Sequence, residues 1–300
     1  MITYGKTLRE IRKQKGVTLK ELADGICSVS FLSKFETDAS DITLGLFTRI
    51  LDKLMLTMDE FLFIHNDFQP SQLEQFFKKV KGAYFSRNAT LLKELKEEEL
   101  RKWKQYGVET YHCNALMIQV SERIVSKKII DEDVQAHDIK VLTDYLFQVE
   151  VWGYYELMLY NGTILLLQPE MAILLSRTAY EKSARYQEFD KVKVAISSVL
   201  FNTIIFLLGP VNRFEEPLTY EKEIAEFLSY LEQVSISERN LLERIQLMEL
   251  KGAYELRSGN KRDGIAKIEE AVLILNKLKA HQLAKNMESY LQQIIDFSKG

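Results

Sequence analysis

Six basic side chains, Lys6, Arg9, Arg12, Lys13, Lys15 and Lys20, fall within residues 6–20 against one acid, Glu10. Cations at that density can neutralise a run of phosphates, and they can equally be a solvated helix face. Residues 1–65 as a whole balance at nine basic and nine acidic side chains, so the positive charge is gathered in one place. A little further on, Ser28, Ser30, Phe31 and Lys34 bring small polar, apolar and cationic groups onto one short segment. The rest of the chain is poor in reactive chemistry. It has no Gly-rich phosphate loop and no nucleophile motif. The four His, at 65, 112, 137 and 281, form no pair one helical turn apart. Two Cys, Cys27 and Cys113, are too few for a disulfide framework or a four-thiolate zinc site. Acids such as Glu97-Glu98-Glu99 read as helix surface. No enzyme activity, cofactor or metal is expected.

The elements that must position these groups are helices. The chain of 300 residues is 46% hydrophobic and 28% charged with a net charge of −3, enough to bury a sizeable core and far from a polycation. Thirteen Gly and four Pro are few for this length, which argues against loop-rich β folds. The first six residues lack the apolar core of a signal peptide. The longest uncharged apolar run, Val194 to Val211, is interrupted by Ser197, Ser198, Asn202 and Thr203 and falls short of the ~20 residues of a membrane span. A soluble cytosolic protein with no membrane contact is expected.

The first proline is Pro70, and His65 to Ser71 is the first clear break. The expected organisation is therefore a compact head over 1–65, a linker over 66–71 and a second domain over 72–300. In the head, a first helix stops at Gly16, and Thr18 with Glu21 makes a capping box for a second. A tight turn runs through Gly25-Ile26-Cys27. A third helix starts at Ser28 or Val29 with Leu32 and Phe35 facing inward. Ile42, Leu46, Ile50, Leu51, Leu54, Met58, Phe61 and Leu62 supply two more. Beyond residue 72, amphipathic patterns such as Leu73/Phe76/Phe77/Val80 and Leu241/Leu242/Ile245/Leu250 follow one another, with breaks at Tyr106-Gly107, Asn161-Gly162, Gly209-Pro210, Glu216-Pro217 and Ser258-Gly259-Asn260. Gly252, Gly259, Gly264 and Ala271 let two helices approach closely, a spacing similar to the tetratricopeptide (TPR) repeat.

The stretch TLREIRKQKGVTLKELADG…SVSFLSKFE…ITLGLFTRILDKLMLTMDEFL resembles the helix-turn-helix of the Cro/C1 type, over roughly residues 5–63. Its interval from Ala23 to Glu36 is one residue shorter than is common there. The resemblance implies an all-α fold that opens with a five-helix lambda-repressor-like domain. The third helix would enter a major groove about 12 Å wide, with Ser28, Ser30, Phe31 and Lys34 turned outward to base edges. Arg9, Arg12, Lys13, Lys15, Thr18 and Lys20 would lie along the phosphates.

Over the whole length, the same head followed by TPR-like helices and YLFQVEVWGYYELMLYNGT resembles the Rgg/GadR/MutR regulators. That resemblance implies a homodimeric regulator of double-stranded promoter DNA, with a TPR-like α-solenoid that binds a short hydrophobic signalling peptide on its concave face. The candidate peptide contacts are Tyr155, an aromatic beside a turn in mid-array; Asn202, an amide expected to be buried among apolar neighbours; and Arg239, Gln246 and Glu249, one stripe of a late helix. The alternative is a TPR-like adaptor for a protein partner, with the head serving assembly.

Overall fold

The computed structural model describes residues 3–127, 136–186, 188–211, 216–233 and 240–297. These form α-helices with two short 3₁₀ turns and, among the described residues, no strand. The chain divides into two compact units, Met1–Gly82 and Ala83–Gly300.

In the first unit, α1 (Tyr4–Gln14), α2 (Leu19–Ala23), α3 (Val29–Glu36), α4 (Leu44–Lys53) and α5 (Met58–His65) are each started by a hydroxyl side chain. Thr3, Thr18, Ser28, Thr43 and Thr57 accept from the backbone N–H three residues on, which satisfies one of the donors a helix leaves open at its start. Thr18 with Glu21 and Thr57 with Glu60 close full capping boxes. Leu8, Leu22, Leu32, Ile50 and Phe61 are fully buried in one cluster, with Ile11, Phe35, Phe47 and Leu51 nearly so. Phe47, absent from the sequence-derived core, meets both Phe35 and Phe61 edge-on. Gly5 lets the start of α1 press on the end of α3: a Cβ there would sit 1.9 Å from the Phe35 carbonyl oxygen.

Helix α6 (Gln72–Phe85) runs across the division and is started by a Ser71–Glu74 capping box. The second unit continues with α7 (Ala89–Tyr106), α8 (Glu109–Ser126), α9 (Ala136–Gln148), α10 (Tyr154–Thr163), α11 (Pro169–Ser183), α12 (Asp190–Leu208), α13 (Glu221–Gln233), α14 (Leu241–Arg257), α15 (Lys261–Lys277) and α16 (His281–Phe297). Helices α8, α10, α12 and α14 pack in succession, each on the next. Against that row lie α7 on α8, α11 and α13 on α12, and α15 on α14, so the unit is a stack of helical hairpins. By length and composition α12 is apolar enough to cross a membrane, with a mean hydropathy of 1.7, yet 61% of it is buried within the unit. It is the central helix of the second core, where Leu200, Ile204 and Leu208 meet Ile224, Phe227 and Leu231 of α13.

Two readings of the second unit change. Asn161-Gly162 is no turn; α10 runs through it, and the missing side chain of Gly162 is occupied by Met117, whose Cγ would lie 2.4 Å from a Cβ. Glu99 is no surface acid. It is 3% exposed and accepts from Asn114 Nδ2 at 2.7 Å and Lys102 Nζ at 2.7 Å, because a buried carboxylate needs donors.

The small residues of α14 and α15 do what their spacing suggests. A Cβ on Gly252 would lie 2.8 Å from the Gly264 carbonyl oxygen, and one on Gly264 would lie 2.6 Å from the Gly252 carbonyl oxygen. The two backbones touch, and the helices pack along much of their length. A second tie is polar. The Tyr160 hydroxyl (α10) donates to the Ala172 carbonyl at 2.8 Å and lies 2.7 Å from Ser176 Oγ (α11). Ser176 Oγ lies 2.7 Å from Thr203 Oγ1 (α12), and all three residues are fully buried.

Candidate functional site

Helix α3 shows two faces. Leu32, Phe35 and Glu36 point into the head; Ser30, Lys34 and Thr37 lie on the other side and are exposed. Ser30 and Lys34 are exposed, as expected from the sequence. Ser28 is exposed too, but its Oγ accepts from Phe31 N at 3.1 Å, so the residue caps the helix while facing outward. Phe31 is half-buried and flanks the outward face, a little over a quarter of a turn round from Ser30. Val29 flanks it on the other side, on the stripe of Leu32 and Glu36, and is 44% exposed at the first position of the helix. Sequence reasoning missed Thr37, although the 3.6-residue period places it with Ser30 and Lys34.

The cations divide in the same way. Arg9, Lys13, Lys15 and Lys20 are exposed, and none of them makes an ion pair among the described residues. Thr18, also exposed, spends its hydroxyl on Glu21. Arg12 is different and must be removed from the phosphate-facing set. It is 7% exposed, and its Nε and Nη2 donate to the two oxygens of Glu36 at 2.6 and 2.7 Å, while Nη1 donates to the Val17 carbonyl at 2.8 Å. Hydrogen bonding to Glu36 raises the guanidinium above its already high value, against the opposing effect of burial. Three of its five N–H groups are spent inside the head, and its burial turns the guanidinium away from any external anion.

The turn between α2 and α3, where the chain is shorter than the related motif, is fixed from outside by α4. Arg49 Nη2 donates to the Gly25 carbonyl at 2.6 Å and Lys53 Nζ to the Asp24 carbonyl at 2.7 Å. Gly25 takes a left-handed φ of 71°, which its lack of a Cβ allows. Cys27 is half-buried beside it, and burial pushes its thiol up, away from the reactive thiolate.

In the second unit Asn202 is exposed, not buried as its apolar neighbours suggest. Its Nδ2 donates to Asn161 Oδ1 on α10 at 2.7 Å. That pairing leaves Asn202 Oδ1 as an acceptor and Asn161 Nδ2 as a donor, with no partner among the described residues. Asn161 was missed because an Asn-Gly pair reads as a turn. Val194 and Ile205 of α12, at 48% and 55% exposure, lie on the same stripe as Asn202, and Leu165 follows Asn161 by one turn. On α14, Gln246 is exposed; Glu249 is half-buried, with burial holding its carboxyl above the usual range, and it makes no hydrogen bond among the described residues. Helix α12 packs on both α10 and α14, so the helices that carry these residues are neighbours. Arg239 lies outside the described residues. Tyr155 belongs elsewhere: its hydroxyl lies 2.9 Å from Asn114 Oδ1 and 3.2 Å from the Thr110 carbonyl, bracing α10 on α8. Burial holds that phenol protonated, and it serves packing rather than a ligand.

Residues 8–61 match the family model for a helix-turn-helix, and residues 92–289 match the model for the C-terminal domain of the HTH-type transcriptional regulator Rgg. Among solved structures, the SHP pheromone receptor Rgg2 of Streptococcus dysgalactiae is 23% identical with a TM-score of 0.79, covering 97% of this chain and 99% of its own. A Listeria monocytogenes EGD-e protein provisionally assigned as a transcriptional regulator is 21% identical with a TM-score of 0.83, covering 99% and 98%. ComR from S. thermophilus, in complex with DNA and its signalling peptide ComS, is 14% identical with a TM-score of 0.60, covering 99% and 100%.

Proposed function

The chain belongs to the Rgg family of helix-turn-helix transcriptional regulators, and from that membership we propose a cytosolic regulator that binds promoter DNA and answers to a short hydrophobic peptide. Residues 1–65 are the DNA-binding domain, 66–71 the linker and 72–300 the repeat domain that holds the peptide and dimerises. The observation that carries the DNA half of this reading is the outward side of α3, polar and cationic, beside Arg9, Lys13, Lys15 and Lys20, which are exposed and make no ion pair among the described residues. A homodimer reads two half-sites about one helical turn apart, and linkage of the two raises affinity through effective concentration. Rgg2 is a pheromone receptor and ComR binds DNA and a signalling peptide, which supports both partners for this chain.

The test of the first half is binding to the DNA upstream of the protein's own gene across a salt series. Lys13→Ala/Lys15→Ala is expected to weaken binding to every duplex and to flatten the logarithmic salt slope by about two, one released counterion per lost contact. An unaltered slope would take both lysines off the phosphates.

The peptide half rests on Asn161 and Asn202. A donor and an acceptor held side by side match one peptide unit of an extended chain, and Val194, Leu165 and Ile205 offer apolar surface on either side of it. Asn202→Ala is expected to abolish the peptide-dependent change in DNA binding while leaving basal DNA binding intact. Wild-type peptide affinity in that variant would reduce Asn202 to a link between two helices.

A further inference from the structure

We propose that Arg49 and Lys53, cations one turn apart on α4, are positioning residues for the DNA contact: they hold the α2–α3 turn and so fix where the leading end of α3 stands. The inference rests on the DNA-binding reading and adds to it a pair that acts through the turn and touches no duplex. The inner contacts of α3 begin late. Its buried residues are Leu32, Phe35 and Glu36, whereas Val29 and Ser30 are exposed and Phe31 is half-buried. The core therefore grips α3 from its second turn onward. The first turn is placed by the chain that enters it, residues 24–28. There Ile26 and Cys27 rest half-buried on the core from inside, and α4 holds the backbone from outside.

The bonds follow one another along the chain. The Ala23 carbonyl closes the end of α2 by accepting from the N–H of Ile26 at 2.9 Å and of Cys27 at 3.0 Å. The next two carbonyls go to α4: Lys53 Nζ donates to that of Asp24 at 2.7 Å and Arg49 Nη2 to that of Gly25 at 2.6 Å. Cations suit this place, because the carbonyl end of a helix carries partial negative charge. Successive carbonyls tied to one helix fix successive peptide planes, and with them the left-handed bend at Gly25, where φ is 71°. Glycine has the most backbone freedom to lose, so a bend made by it is the one that most needs an outside hold. Electrostatics puts the same cations at the same place. The Glu21 carboxyl is held low first by its bonds to Thr18 and also by the charge of Lys53. The Cys27 thiol is raised by burial, and the charge of Arg49 opposes that rise.

The experiment uses the full chain. The wild type selects a duplex from a randomised pool, and its affinity for that duplex is compared with its affinity for a scrambled one across a salt series. Arg49→Ala/Lys53→Ala is expected to lose about tenfold on the selected duplex, on the scale of hydrogen bonds from charged donors. The scrambled duplex should keep both its affinity and its salt slope, the reverse of the Lys13→Ala/Lys15→Ala outcome. Amide exchange should quicken at Ile26 and Cys27 and stay slow at Leu8 and Ile50 in the core, which separates a loosened turn from an unfolded head. Arg49→Lys keeps a donor for the single bond to Gly25 and should retain most of the selectivity. A slope flattened by about two on both duplexes would make the pair phosphate contacts and overturn the proposal. Equal losses on both duplexes, an unaltered selectivity, or faster exchange across the whole of residues 4–65 would overturn it too. Failure of the wild type to select any duplex would instead overturn the DNA-binding reading, and this inference with it.

Discussion

Arg12→Ala is expected to cost the head about 3–5 kcal/mol, because it leaves the Glu36 carboxylate buried without its partner. Glu36 is 2% exposed, and both of its oxygens receive bonds from the one guanidinium. A unit of this size is marginal to begin with, so the loss takes most of its stability. Both tryptophans, Trp103 and Trp152, lie in the second unit, so fluorescence would not follow the change. Amide hydrogen exchange across residues 4–65 does, and protection there should collapse while the second unit keeps its own. Arg12→Lys should rescue little, since one ammonium cannot bond both carboxylate oxygens and the Val17 carbonyl in the fork geometry. Arg12→Met/Glu36→Leu, which removes both charges at similar volume, should recover most of the protection. Unaltered exchange in Arg12→Ala would mean that the pair contributes nothing to the fold. The pairing holds the guanidinium above its ordinary value, so the arginine's share of it is lost only on rising far into alkali. No pH sensitivity near neutrality is expected from it.

The second large effect lies in the α14–α15 hairpin. Gly264→Ala is expected to destabilise the second unit by about 3 kcal/mol, at the upper end of what overpacking costs. The new Cβ would lie 2.6 Å from the Gly252 carbonyl oxygen and 2.8 Å from the Leu256 backbone nitrogen. Neither can rotate aside, so the two helices must part and Ile268, Ala271 and Leu275 lose contact with Ile245 and Leu256. Gly45→Ala is the control. A Cβ at Gly45 meets nothing within 4 Å, and the substitution should raise the stability of the head by about 0.5–1 kcal/mol by restricting the unfolded chain. Thermal unfolding of the two variants should move in opposite directions. A Gly264→Ala protein that melts with the wild type would show that the hairpin has room to spread.

What the sequence makes legible here is local. The five helices of the head follow from period and caps: Thr18 with Glu21 and Thr57 with Glu60 announce helix starts within four residues of chain. The α14–α15 contact is also legible, since a glycine in a helix is costly unless something needs the space. Pairing across the fold is not. Arg12 and Glu36 stand 24 residues apart, and nothing near Arg12 separates it from Arg9 or Lys13 in the same basic run. Glu99 is hidden in a string of acids for the same reason, as its partner Asn114 lies on the next helix. Asn202 misleads in the opposite direction: apolar neighbours on both sides suggest burial, but helix α12 carries it round to the open side. Tertiary placement therefore divides the candidate peptide contacts: Asn202 and Gln246 are exposed and Glu249 half-buried on neighbouring helices, and Tyr155 is spent on Asn114.

The chain of hydroxyls through Tyr160, Ser176 and Thr203 has a mechanical consequence. Each group lies in a dry interior, so sliding α10, α11 or α12 by part of a turn would strand a polar atom with no water to take it. The three helices therefore move as one plank. Asn161 and Asn202 each adjoin a member of that chain, so a load applied to either amide is borne by all three helices together.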